Sequence, residues 1–370
     1  MQVKKFTIKN VTVSYTIAGL VLWILISFAL SANPLHNAAT RGDVEKIKQL
    51  LKKGVDVNKT ADSKRTPLHA ACLWGKTVNA KFLIQNNADI ERPDKYGYTA
   101  LRLAAREGHY KTVKALIQMG ANVNTTDNAK SSPLHIGSLS PGIAKMLIEA
   151  GANINAKNGD GHTPLMTAVQ SANHGLVNLL LIKGADINAA RDKSEAGVLH
   201  WVVIKVQRRL VRLLLINGAN ANIRDENANT PLHDAAQYSS LKIVKLLVAK
   251  GAKVNAVNND LATPLHRAVS GNNKQIVLWL LRHNADAAVK NKKGQTALEV
   301  AIANGFNDMV TLLRPYSGQN GPIDTSFDDK KNAKAATKPK KLKPAPITKA
   351  SKPLKKKSAV PEDEEQEPIF

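Results

Sequence analysis

Pairs of large apolar residues recur along this chain: Leu50-Leu51, Leu83-Ile84, Leu116-Ile117, Leu147-Ile148, Leu180-Leu181, Leu214-Leu215, Leu247-Val248 and Leu280-Leu281. After each pair comes a residue that tolerates the left-handed conformation closing a helix: Gly54, Asn87, Gly120, Gly151, Gly184, Gly218, Gly251 or Asn284. A helix start precedes each pair. Its first slot holds Pro34, Pro67, Ala100, Pro133, Pro164, Val198, Pro231, Pro264 and Ala297, mostly after Thr, Ser or Asn. Such residues cap free amides, and Pro at the first helical position lacks only an amide that would be unpaired there. The slots are spaced by 33, 33, 33, 31, 34, 33, 33 and 33 residues. The pattern predicts two short helices per period. No such unit buries its apolar face alone, but stacked neighbours do. Small residues such as Ala38-Ala39, Ala104-Ala105 and Ala235-Ala236 let each first helix lie close to its neighbours.

Three units depart from the pattern. The fourth reads Ile136-Gly137-Ser138-Leu139-Ser140-Pro141-Gly142 and is two residues short; it predicts a shortened first helix and a local change in the curvature of the stack. The sixth, Gly197-Val198-Leu199-His200-Trp201-Val202-Val203, lacks Thr and Pro and has two valines for the small pair. Its helix start is weakly specified and its packing is expected to be offset. The ninth carries Glu299 three residues after Thr296, a capping box, and ends near Pro315 as a terminal cap.

The recurring phrases Thr66-Pro67-Leu68-His69, Thr230-Pro231-Leu232-His233 and Thr263-Pro264-Leu265-His266, with Gly151-Ala152-Asn153-Ile154-Asn155 and Gly184-Ala185-Asp186-Ile187-Asn188, carry a resemblance. From about Asn33 to Tyr316 the chain resembles the ankyrin repeat family, with about nine repeats; taken together with the apolar segment before them, this suggests a bacterial-type exported member. The resemblance implies an all-α solenoid of helix–turn–helix units joined by hairpin-like loops. It also implies a concave surface, made by loop tips and first helices, where partners bind.

In that family the two residues after the small pair face the concave side. Here they are Leu73 and Trp74, Arg106 and Glu107, Gln170 and Ser171, Ile204 and Lys205, and Gln237 and Tyr238; the loop tips add Lys64, Arg65, Lys95, Tyr96, Tyr98, Lys193, Lys292 and Lys293. Protein interfaces concentrate their binding energy in Trp, Tyr and Arg. The candidate partner-binding residues are therefore Trp74, Tyr96, Tyr98, Arg106, Trp201, Lys205 and Tyr238. The plainer alternative has Trp201 packing within its own unit, the tyrosines covering loop backbone and the lysines solvated.

The two ends differ from the repeats. In residues 1–32, Lys4, Lys5 and Lys9 precede an uncharged run whose greasiest part is Ile17–Leu30, with small residues Ser31 and Ala32 after it. This reads either as a cleaved signal peptide or as an uncleaved membrane anchor with its N-terminus in the cytoplasm. Both export the repeats, to the periplasm or beyond. From 317 to 370 the period is gone; residues 330–357 hold twelve lysines and no acids, before the acidic Glu362-Asp363-Glu364-Glu365. A segment of this composition is expected to be disordered.

The chain carries +24 overall, of which the tail supplies +4 and the first 32 residues +3, leaving the repeats at +17. A basic array favours acidic protein partners or anionic surfaces such as membrane headgroups, anionic glycans or nucleic acid. Export would separate it from cytoplasmic DNA, and no groove-reading motif is present.

Little in the sequence points to chemistry. Six histidines (His36, His69, His135, His200, His233, His266) fill one motif position, where the family uses histidine structurally. His109 reads as a turn residue, and His162, His174 and His283 lack metal-ligand spacing. Cys72 is the single cysteine and stands in a small-residue position, as an inert thiol. No catalytic motif and no cofactor is expected. The reading is a non-catalytic, monomeric protein-interaction scaffold, exported or membrane-tethered; the alternative is an electrostatic binder of anionic surfaces through the basic repeats and the Lys-rich tail.

Overall fold

A computed structural model describes residues 4–8, 11–15, 33–189, 197–238 and 240–316. By internal contacts the chain divides into Met1–Asn320 and Gly321–Phe370. The apolar run Ile17–Leu30, Lys193 and the Lys-rich tail lie outside the described residues. Among the described residues, no helix is long and apolar enough to cross a membrane.

Among the described residues the repeats are built from short helices joined by loops. First helices span Pro34–Arg41, Pro67–Leu73, Ala100–Arg106, Pro164–Gln170, Val198–Ile204, Pro231–Tyr238, Pro264–Ser270 and Ala297–Ala303. Second helices span Val44–Lys52, Thr77–Gln85, Tyr110–Gln118, Pro141–Glu149, His174–Ile182, Arg208–Ile216, Leu241–Ala249, Lys274–Arg282 and Asn307–Leu313. The repeats are all-α as expected, and two short strands precede them. Lys4–Ile8 pairs antiparallel with Val11–Tyr15, Lys4 opposite Tyr15 and Ile8 opposite Val11. Both segments are rich in β-branched and aromatic residues, which favour a strand over a helix.

Each first helix starts at the expected slot. The Thr66 hydroxyl accepts from His69 N–H at 3.4 Å ahead of Pro67, and Thr296 and Glu299 form the expected capping box. All eight expected second-helix terminators, Gly54 through Asn284, have positive φ. One leucine after each slot is buried: Leu35, Leu68, Leu101, Leu134, Leu165, Leu199, Leu232, Leu265 and Leu298. Leu83, Leu116, Leu147, Leu180, Leu214, Leu247 and Leu280, the first members of the apolar pairs, are buried against them from the second helices. In the first unit both Leu50 and Leu51 are only half-buried. Each fully buried leucine contributes roughly 1.5–3 kcal/mol. First helices pack on the first helices of adjacent units, and second helices likewise on second helices.

The fourth unit has only a 3₁₀ turn, Pro133–His135, where its neighbours have a first helix. Gly137 follows, with its backbone against the fifth unit. A Cβ there would sit 2.1 Å from Ser171 Oγ and 2.7 Å from the Thr167 carbonyl. The sixth unit keeps its register instead of slipping. Val198–Ile204 has the same seven-residue length as the fifth unit's first helix. Val202 and Val203 are fully buried in the small-pair positions, and only the cap is lost, because Gly197 has no side chain to supply it.

Candidate partner-binding surface

Loops between units fold around one side chain. Asp94 Oδ1 accepts from Tyr96 N–H at 2.8 Å and Tyr98 N–H at 3.0 Å, and Asp127, Asn158, Asp225, Asn258 and Asn291 do the same in their loops. This is the Asx turn, a side chain standing in for backbone. Successive tips are tied together. Lys95 N–H donates to Ser63 O at 2.8 Å, Asn128 N–H to Tyr96 O at 3.1 Å and Gly159 N–H to Ala129 O at 2.8 Å. Farther along, Asn259 N–H donates to Asn227 O at 2.9 Å and Lys292 N–H to Asp260 O at 2.7 Å.

The histidines lock this strip to the first helices. His69 Nδ1 accepts from Thr66 N–H at 3.2 Å, which places the ring hydrogen on Nε2, and Nε2 donates to Tyr98 O of the next loop at 2.9 Å. His135, His233 and His266 repeat the arrangement, and His36 donates to Arg65 O at 2.8 Å. Burial pushes His36, His69, His135, His233 and His266 below the ordinary imidazole range, His233 to about 4. These rings are neutral connectors between units. His109 Nε2 likewise donates to Leu73 O, at 3.0 Å. Cys72 is fully buried, and burial raises its thiol well above the ordinary range. Among the described residues no group of acids, histidines and cysteines is arranged to hold a metal.

Three of the seven candidates meet at one loop. The Tyr96 and Tyr98 rings lie 5.8 Å apart, and Lys95 Nζ stands 4.9 Å from the Tyr96 ring. Tyr98 covers two guanidiniums, Arg102 at 4.8 Å and Arg106 at 5.7 Å, and is itself half-buried. Arg106 is partly exposed and pairs with Glu107 at 2.9 Å. Trp74, Lys205 and Tyr238 hold one repeat position in the second, sixth and seventh units, at the exposed end of each first helix. Trp201 is placed otherwise. Its ring meets His162 of the adjoining loop edge to face, 5.2 Å between centroids, and it is half-buried.

Arg102 is the residue that motif reading missed. It stands in the third unit's histidine slot and takes over the histidine's role. Its guanidinium pairs with Asp127 at 2.7 Å and donates to Ser131 O and Ser132 O at 3.0 and 2.8 Å. The departure from His was the signal. Ile204 and Val206, both exposed, add apolar surface beside Lys205. Between the eighth and ninth units a recess of about 460 Å³ is lined by His266, Arg267, Asp260, Lys292 and Lys293. This recess has three cationic groups against one carboxylate.

A search of curated proteins gave no match. A family model described as "Ankyrin repeats (3 copies)" matches residues 35–127, 126–191, 172–259, 199–291 and 257–325. Ankyrin repeats generally mediate binding to other proteins, and a scaffold for protein–protein interaction is what such an array implies. With matches running over most of its length, and with the capped helix pairs, bridging histidines and tied loops described above, this chain belongs to the ankyrin repeat family.

Proposed function

We propose that the chain is a non-catalytic scaffold whose loop tips and first-helix ends grip an acidic protein. The observation that carries the reading is the strip of backbone-tied tips, which fixes Lys95, Tyr96, Lys292 and Lys293 in place before any partner arrives. Preorganised groups lose little freedom on binding. Exposed aromatic anchors at Trp74, Tyr96 and Tyr238, with Lys95 over the Tyr96 ring, suit a partner that offers carboxylates around an apolar centre. The scaffold acts as a monomer, exported or tethered by residues 1–32, a reading supported by the basic start and apolar run of that segment.

The test is capture of a partner by the full chain and by the Trp74→Ala, Tyr238→Ala double variant. Capture by the parent, with at least tenfold weaker capture by a variant of unchanged melting temperature, supports the surface. Equal capture by both places the partner elsewhere. N-terminal sequencing of fractionated cells tests export: a chain recovered intact from the cytoplasm ends that part of the reading.

A further inference from the structure

The positive charge of the repeats is not spread evenly. The second helices carry fourteen Lys and Arg against three acids. The first helices carry four against two, and three of those four are engaged: Arg102 with Asp127, Arg106 with Glu107 and Arg267 with Asn229 Oδ1. Within the second helices the cations share a register. Lys48, Lys81, Lys114 and Lys145 occupy the same position in four consecutive units, and Arg212 and Lys245 occupy it in the sixth and seventh.

In the sixth unit Leu210, Val211, Leu214 and Leu215 face the core, which turns Arg212 outward. The same phase holds for the others, and all six are exposed. Helices packed side by side stand 8–10 Å apart, so the column presents a cation at roughly every 10 Å, with a gap at Asn178 in the fifth unit. Lys145 pairs loosely with Glu149, at 3.9 Å. Large apolar side chains are exposed on these helices too: Val78 at 68 %, Ile182 at 69 % and Ile216 at 60 %, with Tyr110 beside Lys111.

We infer that this second-helix face docks on an anionic phospholipid surface. Lysines attract the headgroups, and aliphatic and aromatic side chains enter the boundary with the acyl chains. A nucleic acid would use the cations but gain nothing from Val78, Ile182 and Ile216. The face is separate from the loop tips, so the inference does not depend on the partner-binding reading, and one protein has room to hold a membrane and a partner together.

The experiment uses the full chain with the lysines of 330–357 changed to glutamine and the apolar run Ile17–Leu30 replaced by a Gly/Ser sequence, which removes the tail's own attraction and membrane insertion by the first segment. Binding is measured by co-sedimentation with phosphatidylcholine vesicles containing one-third phosphatidylglycerol. Lys48→Glu, Lys81→Glu and Lys114→Glu combined should weaken binding by at least about a hundredfold, since each cation near an acidic bilayer is worth roughly fivefold. Ile182→Ser with Ile216→Ser should weaken it severalfold. If the glutamates reduce thermal stability, the three Lys→Gln changes replace them, with the same direction expected. Unchanged vesicle binding in the triple variant overturns the inference. So does a result in which the serine variant binds vesicles normally while the triple variant loses binding to duplex DNA, which would make this a nucleic-acid face.

Discussion

His200 Nδ1 and Asp234 Oδ2 lie 2.6 Å apart across the junction of the sixth and seventh units, with side chains 2 % and 10 % exposed. In the second, fourth, seventh and eighth units that ring nitrogen accepts from the backbone amide of a capping Thr or Ser. The sixth unit has Gly197 there, and the carboxylate of the next unit takes the cap's place. The bond reverses direction: Nδ1 now donates, while Nε2 faces Ile223 O at 3.2 Å. A unit that lost its local cap is held by its neighbour.

Asp234→Ala should therefore cost about 2–4 kcal/mol, because it leaves a buried ring nitrogen without a partner. The double variant His200→Ala, Asp234→Ala should cost less than the two single changes added together. Urea unfolding of the four proteins gives the coupling, and strict additivity would show that the pair does not hold the junction.

Acid should loosen the array before it touches most carboxylates. In the unfolded chain the bridging histidines titrate near 6.5, while folding holds them lower, chiefly by burial, and only partly offset by their hydrogen bonds to backbone carbonyls. Between the two values the unfolded chain binds more protons. The stability they contribute is complete above about pH 6.5 and drains away as pH falls through the folded values, about 4 for His233. Full loss at His233 alone is on the order of 3 kcal/mol. Urea midpoints should drop steadily from pH 7 to pH 4, and His233→Gln should make that drop shallower. Equal midpoints at the two ends of this range would contradict the neutral-connector role.

Val206 holds φ at 56° in the turn after the sixth unit's first helix, where the second, third and ninth units have Gly75, Gly108 and Gly305. A β-branched residue is strained there. It is 45 % exposed, so it gains little from burial in return. Val206→Gly should stabilise the chain by about 0.5–1 kcal/mol, read as a higher melting temperature. A lower one would mean that the side chain is needed where it stands.

Much of this was written in the sequence because it is local. Thr-Pro starts, left-handed Gly and Asn terminators and the Thr296–Glu299 box each depend on residues a few positions apart; the fourth unit, for which the sequence predicts a shortened first helix, instead keeps only the turn Pro133–His135. The bridging histidines were legible through the family motif. What escaped was pairing between units. Nothing near Trp201 announces that His162 will cover it, and nothing near His200 announces Asp234, a residue 34 positions away. The tyrosines fell between the two cases: Tyr96 is exposed as expected of a loop tip, while Tyr98 turns its ring onto Arg102 and Arg106. The lysine column was present in the sequence at one-repeat spacing, but it became meaningful only once burial fixed which way each second helix faces.

The ties from Ser63 through Gly159, and from Asn227 through Lys292, have a metric consequence. Neighbouring tips do not drift independently, so side chains projecting from them are graduations on a ruler whose smallest division is one repeat. A ligand reaching across several tips has to match that division along its own length, and inserting or deleting a single residue between its contact points would put every later one out of step.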